Sequence, residues 1–195
     1  MAIAAVLVYE LAASSSPTAA SHVEVVHGEQ PDAPSWVLRE HRVVLGEADG
    51  AVPEGTTVFD GAIPGVAKLD PALLGALRQA ATDAAGYGVR FVVDSGWRSP
   101  EYQEHLLDQA VSKYGSIAEA ARWVATPTTS AHVSGDAVDI GPATAAAWLS
   151  EHGADYGLCR IYGNEPWHYE LRAEAIELGC PPMYADPTHD PRMQQ

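Results

Sequence analysis

The sequence predicts an α+β domain in which a small antiparallel sheet packs against helices. Three observations carry that prediction. Apolar residues recur at helical spacing in stretches opened by capping residues and closed by glycine. Four short runs rich in Val, Ile, Leu, Tyr and Trp read as strands. The order is helix, strand, helix, helix, strand, helix, strand, strand, which is not the strict alternation of a parallel βαβ sheet.

The elements follow in turn. Asp70 can cap a helix with Pro71 in its first turn, and Leu73, Leu74, Leu77, Ala81 and Ala84 supply the apolar stripe before Gly86 and Gly88 end it. Residues 89–93 read as a buried strand running into Asp94-Ser95-Gly96-Trp97-Arg98. Ser99-Pro100 opens a second helix with Leu106, Leu107, Ala110 and Tyr114 toward the core, closed by Gly115. Ser116 and Glu119 form a capping-box pattern for a third helix reaching about Val124. After a loop over 125–130, residues 137–140 read as a strand, with Val138 and Ile140 facing one way and Asp139 the other. Residues 142–152 suit a short helix, and 158–162 and 167–171 two strands joined by a turn at Gly163-Asn164. The Pro- and Asp-rich tail after Cys180 is expected to be irregular.

The chain divides into residues 1–20 as a signal peptide or anchor remnant, 21–65 as a tether and lead-in, and 66–195 as the main domain. Ala2–Ala13 is largely apolar and Thr18-Ala19-Ala20 resembles the small-residue end of a cleaved export signal, although Glu10 interrupts the run and no Lys or Arg precedes Arg39. Membrane association is expected, if anywhere, only at this N-terminus. In the lead-in, short β-type pieces occur at 23–26 and 42–45, and His22, His27 and His41 read as solvated or locally bonded.

Composition narrows the function. A net charge of -15, with no Lys/Arg run, sets nucleic-acid binding aside. The 195 residues suffice for one sizeable core, and the expectation is a monomer. The two cysteines, Cys159 and Cys180, form no CxxC pair, so a structural zinc finger is excluded. They flank the cluster at 165–168 and are a disulfide candidate in an oxidising compartment; two unrelated buried thiols are the alternative.

The chemistry concentrates in two clusters. Ser130 to Asp139 sets His132 and Asp139 seven positions apart around Gly135, and Glu165-Pro166-Trp167-His168 follows. Together they offer two imidazoles and one carboxylate, plus a second carboxylate three residues before the last histidine. That is the inventory of a catalytic Zn2+ site: three protein ligands, an open position, and a base that does not touch the metal. On a strand, Trp167 and His168 would project from opposite faces, putting the indole in the core and the imidazole in a cleft. Taken singly, each residue has an ordinary reading: His132 as a surface or capping residue, Asp139 as a cap, Glu165-Pro166 as a turn. His105, His152 and His189 lack comparable neighbours, and His105 reads as a solvated side chain on an amphipathic helix.

Ser130-x-His132-x-x-Gly135-x-Ala137-x-Asp139 followed by Glu165-x-x-His168 resembles the zinc D-alanyl-D-alanine carboxypeptidases and dipeptidases of the M15 family, the VanY and VanX type. Ser95-Gly96-Trp97-Arg98-Ser99, with Gln103 after it, resembles the upstream motif of that family, with Trp97 where Tyr is usual. The resemblance spans about residues 68–171. It implies the hedgehog/D-Ala-D-Ala peptidase-like fold, zinc held by His132, Asp139 and His168, and Glu165 as catalytic base. It further implies Arg98 at the scissile carbonyl and developing oxyanion, with Ser130 and Gln103 in the substrate site. The substrate would be a peptidoglycan stem peptide ending in D-Ala-D-Ala, met outside the cytoplasm. A D,D-dipeptidase, a peptidoglycan endopeptidase and a non-catalytic zinc-containing wall-binding module stay open as alternatives.

Overall fold

The computed structural model describes residues 45–194. The segment expected to be a signal or anchor, the strand piece at 23–26, that at 42–45 apart from Leu45, and His22, His27 and His41 lie outside the described residues.

Seven helices and four strands are present among them. After a 3-10 turn at Glu47–Asp49 come α1 (Pro64–Ala67), α2 (Pro71–Ala85), β1 (Val92–Ser95), α3 (Pro100–Tyr114), α4 (Ile117–Ala120) and α5 (Ala131–Ser134). Then follow β2 (Ala137–Gly141), α6 (Ala143–His152), β3 (Leu158–Arg160), β4 (His168–Leu171) and α7 (Ala175–Leu178). Asp70 caps α2 as expected, its carboxylate accepting from the amides of Ala72 and Leu73 at 2.8 and 3.0 Å. Ser99 caps α3 by accepting from Tyr102 N–H, and Ser116 caps α4 by accepting from Glu119 N–H.

The strands form one antiparallel sheet in the order β1-β2-β4-β3. One face makes the core: Val93, Val138, Ile140 and Tyr169 pack with Leu73, Leu77, Ala80 and Ala84 of α2 and Leu149 of α6. Each large aliphatic side chain buried there contributes about 1.5–3 kcal/mol. The opposite face presents Asp139, His168 and Glu170, all buried and all polar, and its surroundings are described below.

Several local expectations shift. The first strand begins at Val92 and continues through Ser95. On α3 the fully buried positions are Gln103 and Ala110, while Leu106 and Leu107 are half-buried, so this helix packs its polar Gln103 inward rather than a leucine stripe. The third helix is a single turn ending at Ala120. The hairpin between β3 and β4 closes through residues 161–167 rather than a tight turn, with Arg160 paired to Tyr169.

The tail is largely irregular, as expected, but short elements tie it down. Tyr184 bridges to Tyr162, and two 3-10 turns follow at Pro187–His189 and Pro191–Gln194. Cys159 and Cys180 are joined by a disulfide across 21 positions, which ties the start of this tail to β3. Replacing both cysteines with alanine is expected to destabilise the fold by about 3 kcal/mol through the larger entropy of the unfolded chain. Urea unfolding of oxidised wild type against the double variant reads this directly; an unchanged midpoint would contradict it.

Candidate metal centre

The pairing of β2 with β4 builds the centre. Asp139 lies directly opposite His168, and residues opposed across antiparallel strands project from the same face. Val138 and Tyr169, the next pair, therefore turn into the core. His132 arrives from α5, a one-turn helix rather than the loop expected. Gly135 ends that turn at φ +84, and a Cβ there would lie 2.6 Å from the Lys68 carbonyl oxygen, so both backbone conformation and space demand glycine. Arg98 N–H donates to the His132 carbonyl at 3.1 Å, joining the segment after β1 to α5.

Three atoms converge. His132 Nε2 lies 3.4 Å and His168 Nδ1 3.3 Å from the same oxygen, Asp139 Oδ1. One ligand atom from each of the three residues lies within 4.8 Å of the other two. The remaining ring nitrogens are committed elsewhere: His132 Nδ1–H donates to the Gly96 carbonyl at 2.8 Å, and His168 Nε2–H to Glu170 Oε1 at 3.3 Å. These bonds fix ring orientation and leave His132 Nε2 and His168 Nδ1 to face Asp139, the usual way a protein presets imidazoles as ligands. Two imidazoles and a carboxylate meeting at one mouth, each already oriented from behind, fit a zinc-type cation.

The electrostatics agree with that use. Burial opposes ionisation of Asp139, but His132, His168 and Arg98 outweigh it and hold the carboxyl well below the usual carboxylate range. Burial, then Arg98, pushes His132 down. Burial also opposes a charge on His168, yet hydrogen bonds to Asp139 and Glu170 prevail and raise it to about 9. A cation bound there would take the place of the proton between Nδ1 and Asp139.

Glu165 stands beside the three without joining them. Its Oε2 is 3.7 Å from His168 Nδ1, and its Oε1 is buried with no hydrogen-bond partner among the described residues. Burial pushes this carboxyl up to about 7, against the pull of His168. Arg98 is held on three sides: Nε–H donates to Ser95 Oγ at 2.7 Å, Nη1–H to Gln103 Oε1 at 3.0 Å and Nη2–H to Asp139 Oδ2 at 3.0 Å. Gln103 donates in turn to the Ala125 carbonyl at 2.8 Å. Each end of its amide thus makes one bond to protein, and the bond to Arg98 helps orient that guanidinium.

All seven site residues suggested by the sequence, Arg98, Gln103, Ser130, His132, Asp139, Glu165 and His168, line one cleft of about 220 Å³. Trp123, Trp167, Pro187 and Met193 are among the other residues of its walls. Trp167 is 40% exposed and so corrects the expectation of a core indole. It precedes β4 rather than lying in it, and it separates the cleft from an apolar groove bordered by Pro142, Ala146 and Pro166.

Glu170 was not among the sequence candidates. Its signal was the alternation His168-x-Glu170, which on a strand places both on one face. Wholly buried, it accepts from Arg172 Nη2–H at 2.6 Å and from Arg192 at 2.7 and 3.1 Å. Burial opposes its ionisation, but His168 and Arg192 hold it far below the ordinary glutamate range.

Comparison with known proteins places this geometry. A family model described as VanY, D-alanyl-D-alanine carboxypeptidase, matches residues 66–174, more than half of the chain. A curated D-alanyl-D-alanine carboxypeptidase of Enterococcus faecalis (strain ATCC 700802 / V583) is 36% identical over a match covering 42% of this chain and 40% of that relative. The chain thus spans less than half the length of that protein. A solved vancomycin-resistance D,D-pentapeptidase VanY from a VanB-type resistance cassette, in complex with Zn(II), is similar at TM-score 0.53 and 31% identity, covering 57% of this chain and 75% of that one. A VanYB structure in complex with D-alanine-D-alanine matches at the same TM-score and identity, over 57% of this chain and 74% of that one.

Proposed function

This chain belongs to the VanY D-alanyl-D-alanine carboxypeptidase family, and from that premise we propose that it is a zinc-dependent D,D-carboxypeptidase removing the terminal D-Ala from peptidoglycan stem peptides. The observation that carries the reading is the convergence of His132 Nε2, Asp139 Oδ1 and His168 Nδ1 beside a buried Glu165 whose Oε1 has no hydrogen-bond partner among the described residues. Metal storage alone would need neither Glu165 nor the tightly held Arg98, which argues against a non-catalytic module.

His132, Asp139 and His168 would hold the zinc. When bound, the ion supplies Lewis-acid polarisation of the scissile carbonyl and acidifies water. Glu165 accepts a proton from the attacking water and returns it to the departing amine; a carboxyl raised toward neutrality suits both transfers. Arg98 has five N–H donors and spends three on Ser95, Gln103 and Asp139. The others remain for the oxygen on which charge develops, and fixed donors of this kind need no reorganisation during the reaction. Ser130, buried on the cleft wall, offers a hydroxyl to the substrate backbone. A cleft of about 220 Å³ suits a small terminal residue such as alanine. The Cys159–Cys180 disulfide supports action outside the cytoplasm, where such bonds persist.

The test is product analysis. Zinc-loaded protein incubated with an acylated tripeptide ending in D-Ala-D-Ala is expected to release free D-alanine. Release of intact D-Ala-D-Ala by cleavage at the L-D bond would overturn the assignment in favour of an endopeptidase, and hydrolysis of free D-Ala-D-Ala with the acylated tripeptide left intact would overturn it in favour of a dipeptidase.

A further inference from the structure

The C-terminal tail reaches the metal centre from behind. The family match ends at residue 174, yet residues 181–194 fold back across the β3–β4 loop. Tyr184 N–H donates to the Ile161 carbonyl, and Gly163 N–H to the Tyr184 carbonyl. Buried Asp186 accepts from Arg122 Nε–H at 3.0 Å, which pins the tail to the segment after α4. These contacts deliver Arg192 to Glu170.

We propose that Arg192 is a positioning residue for the metal centre, acting through Glu170 on His168. Its guanidinium spans both carboxylate oxygens, Nη1–H to Oε2 at 2.7 Å and Nη2–H to Oε1 at 3.1 Å. Oε1 is the oxygen that receives His168 Nε2–H. Arg172 meets only Oε2, so of the two arginines Arg192 alone touches the oxygen that faces His168. On its far side Arg192 Nε–H donates to Asp190, which also accepts from the Tyr162 hydroxyl at 3.0 Å. The fork is thereby locked from both ends.

The chain of contacts runs from the tail to the metal-facing atom. Asp190 fixes Arg192, Arg192 fixes Glu170, and Glu170 holds the His168 ring with Nδ1 directed at Asp139. A bidentate arginine–carboxylate pair imposes geometry as well as attraction, which a lysine does not reproduce. Losing an outer partner of a ligating histidine typically weakens metal binding about 10–100-fold.

The inference rests on the proposed zinc site, and its test separates the two. Zinc dissociation constants are measured by chelator competition for the full-length wild type, R192A and R192K, alongside thermal unfolding of each metal-free form. R192A leaves Glu170 in place but unheld, so it is expected to bind zinc about 10-fold more weakly, the low end of that range. R192K keeps the charge but not the fork, and is expected to fall between R192A and wild type while its metal-free form unfolds at the wild-type temperature. Should R192A fail to fold, R192K alone decides. Wild-type zinc affinity in whichever variant folds would overturn the role of Arg192 while leaving the zinc site standing. A wild-type chain that binds no zinc would remove the site itself, and this inference with it.

Discussion

Glu165→Gln is expected to lower kcat on a D-Ala-D-Ala peptide by about 10²–10⁴-fold, the range lost with a general acid–base group, while bound zinc stays at the wild-type level. The side chain lies beside the three converging atoms, and its one contact with them is the 3.7 Å approach of Oε2 to His168 Nδ1, so its replacement by glutamine is expected to remove proton transfer without dismantling the centre. Turnover within tenfold of wild type would place the base elsewhere. The pH profile gives a second reading. Glu165 must be ionised to accept a proton, so kcat/KM is expected to fall on an acid limb at or below pH 7, the position to which burial raises this carboxyl; a neighbouring cation draws the limb lower.

The same substitution predicts a change in stability of opposite sign. The folded value of about 7 exceeds the ordinary 4.5, so the folded state binds the extra proton and loses stability as pH rises from about 4.5 to 7. Glutamine carries no charge to bury. Metal-free Glu165→Gln should therefore melt above metal-free wild type at pH 8, and the difference should vanish near pH 4.5. An advantage that persists at low pH would show that charge burial is not its cause.

Asp139→Ala should be the most damaging change to the centre. Its carboxylate faces His132 and His168 through Oδ1 and Arg98 through Oδ2, so alanine removes a ligand and strands buried cationic groups together. Breaking a buried charge pair from one side costs about 3–5 kcal/mol, and the metal-free variant is expected to lose stability on that scale. Its zinc affinity should fall by more than the about 10–100-fold attached to an outer partner, and activity should disappear with it. Chelator treatment of wild type is expected to abolish D-alanine release, with recovery on adding zinc. Activity that survives both treatments would remove the metal from the reaction.

Much of the centre was legible because its information is local. Helix starts at Pro71 and Pro100 follow from the caps at Asp70 and Ser99, whose hydroxyl or carboxylate must lie within three residues of the amides it serves. Asp139 facing away from Val138 follows from the two-residue period of a strand. Gly135 was readable as a turn, although the close approach of the Lys68 carbonyl that enforces it was not. Other features misled for the same reason. Trp167 adjoins a strand, and local alternation put it in the core; the structure begins the strand one residue later and leaves the ring on the cleft wall. Leu106 and Leu107 have the spacing of a core stripe, yet α3 turns Gln103 inward to hold Arg98.

From the chain alone came the two imidazoles and the carboxylate that could hold a metal, the neighbouring glutamate, the arginine after the first strand and the α+β class. Each depends on residue type and short spacing, which backbone periodicity converts into a face. The folded molecule decided which ring nitrogens face Asp139, that Glu170 stands behind His168, and that Arg192 reaches it from a tail 22 positions onward. Those are matters of direction between elements that no local period encodes, because hydrogen bonds across the fold, not spacing along the chain, choose among otherwise equivalent side-chain orientations.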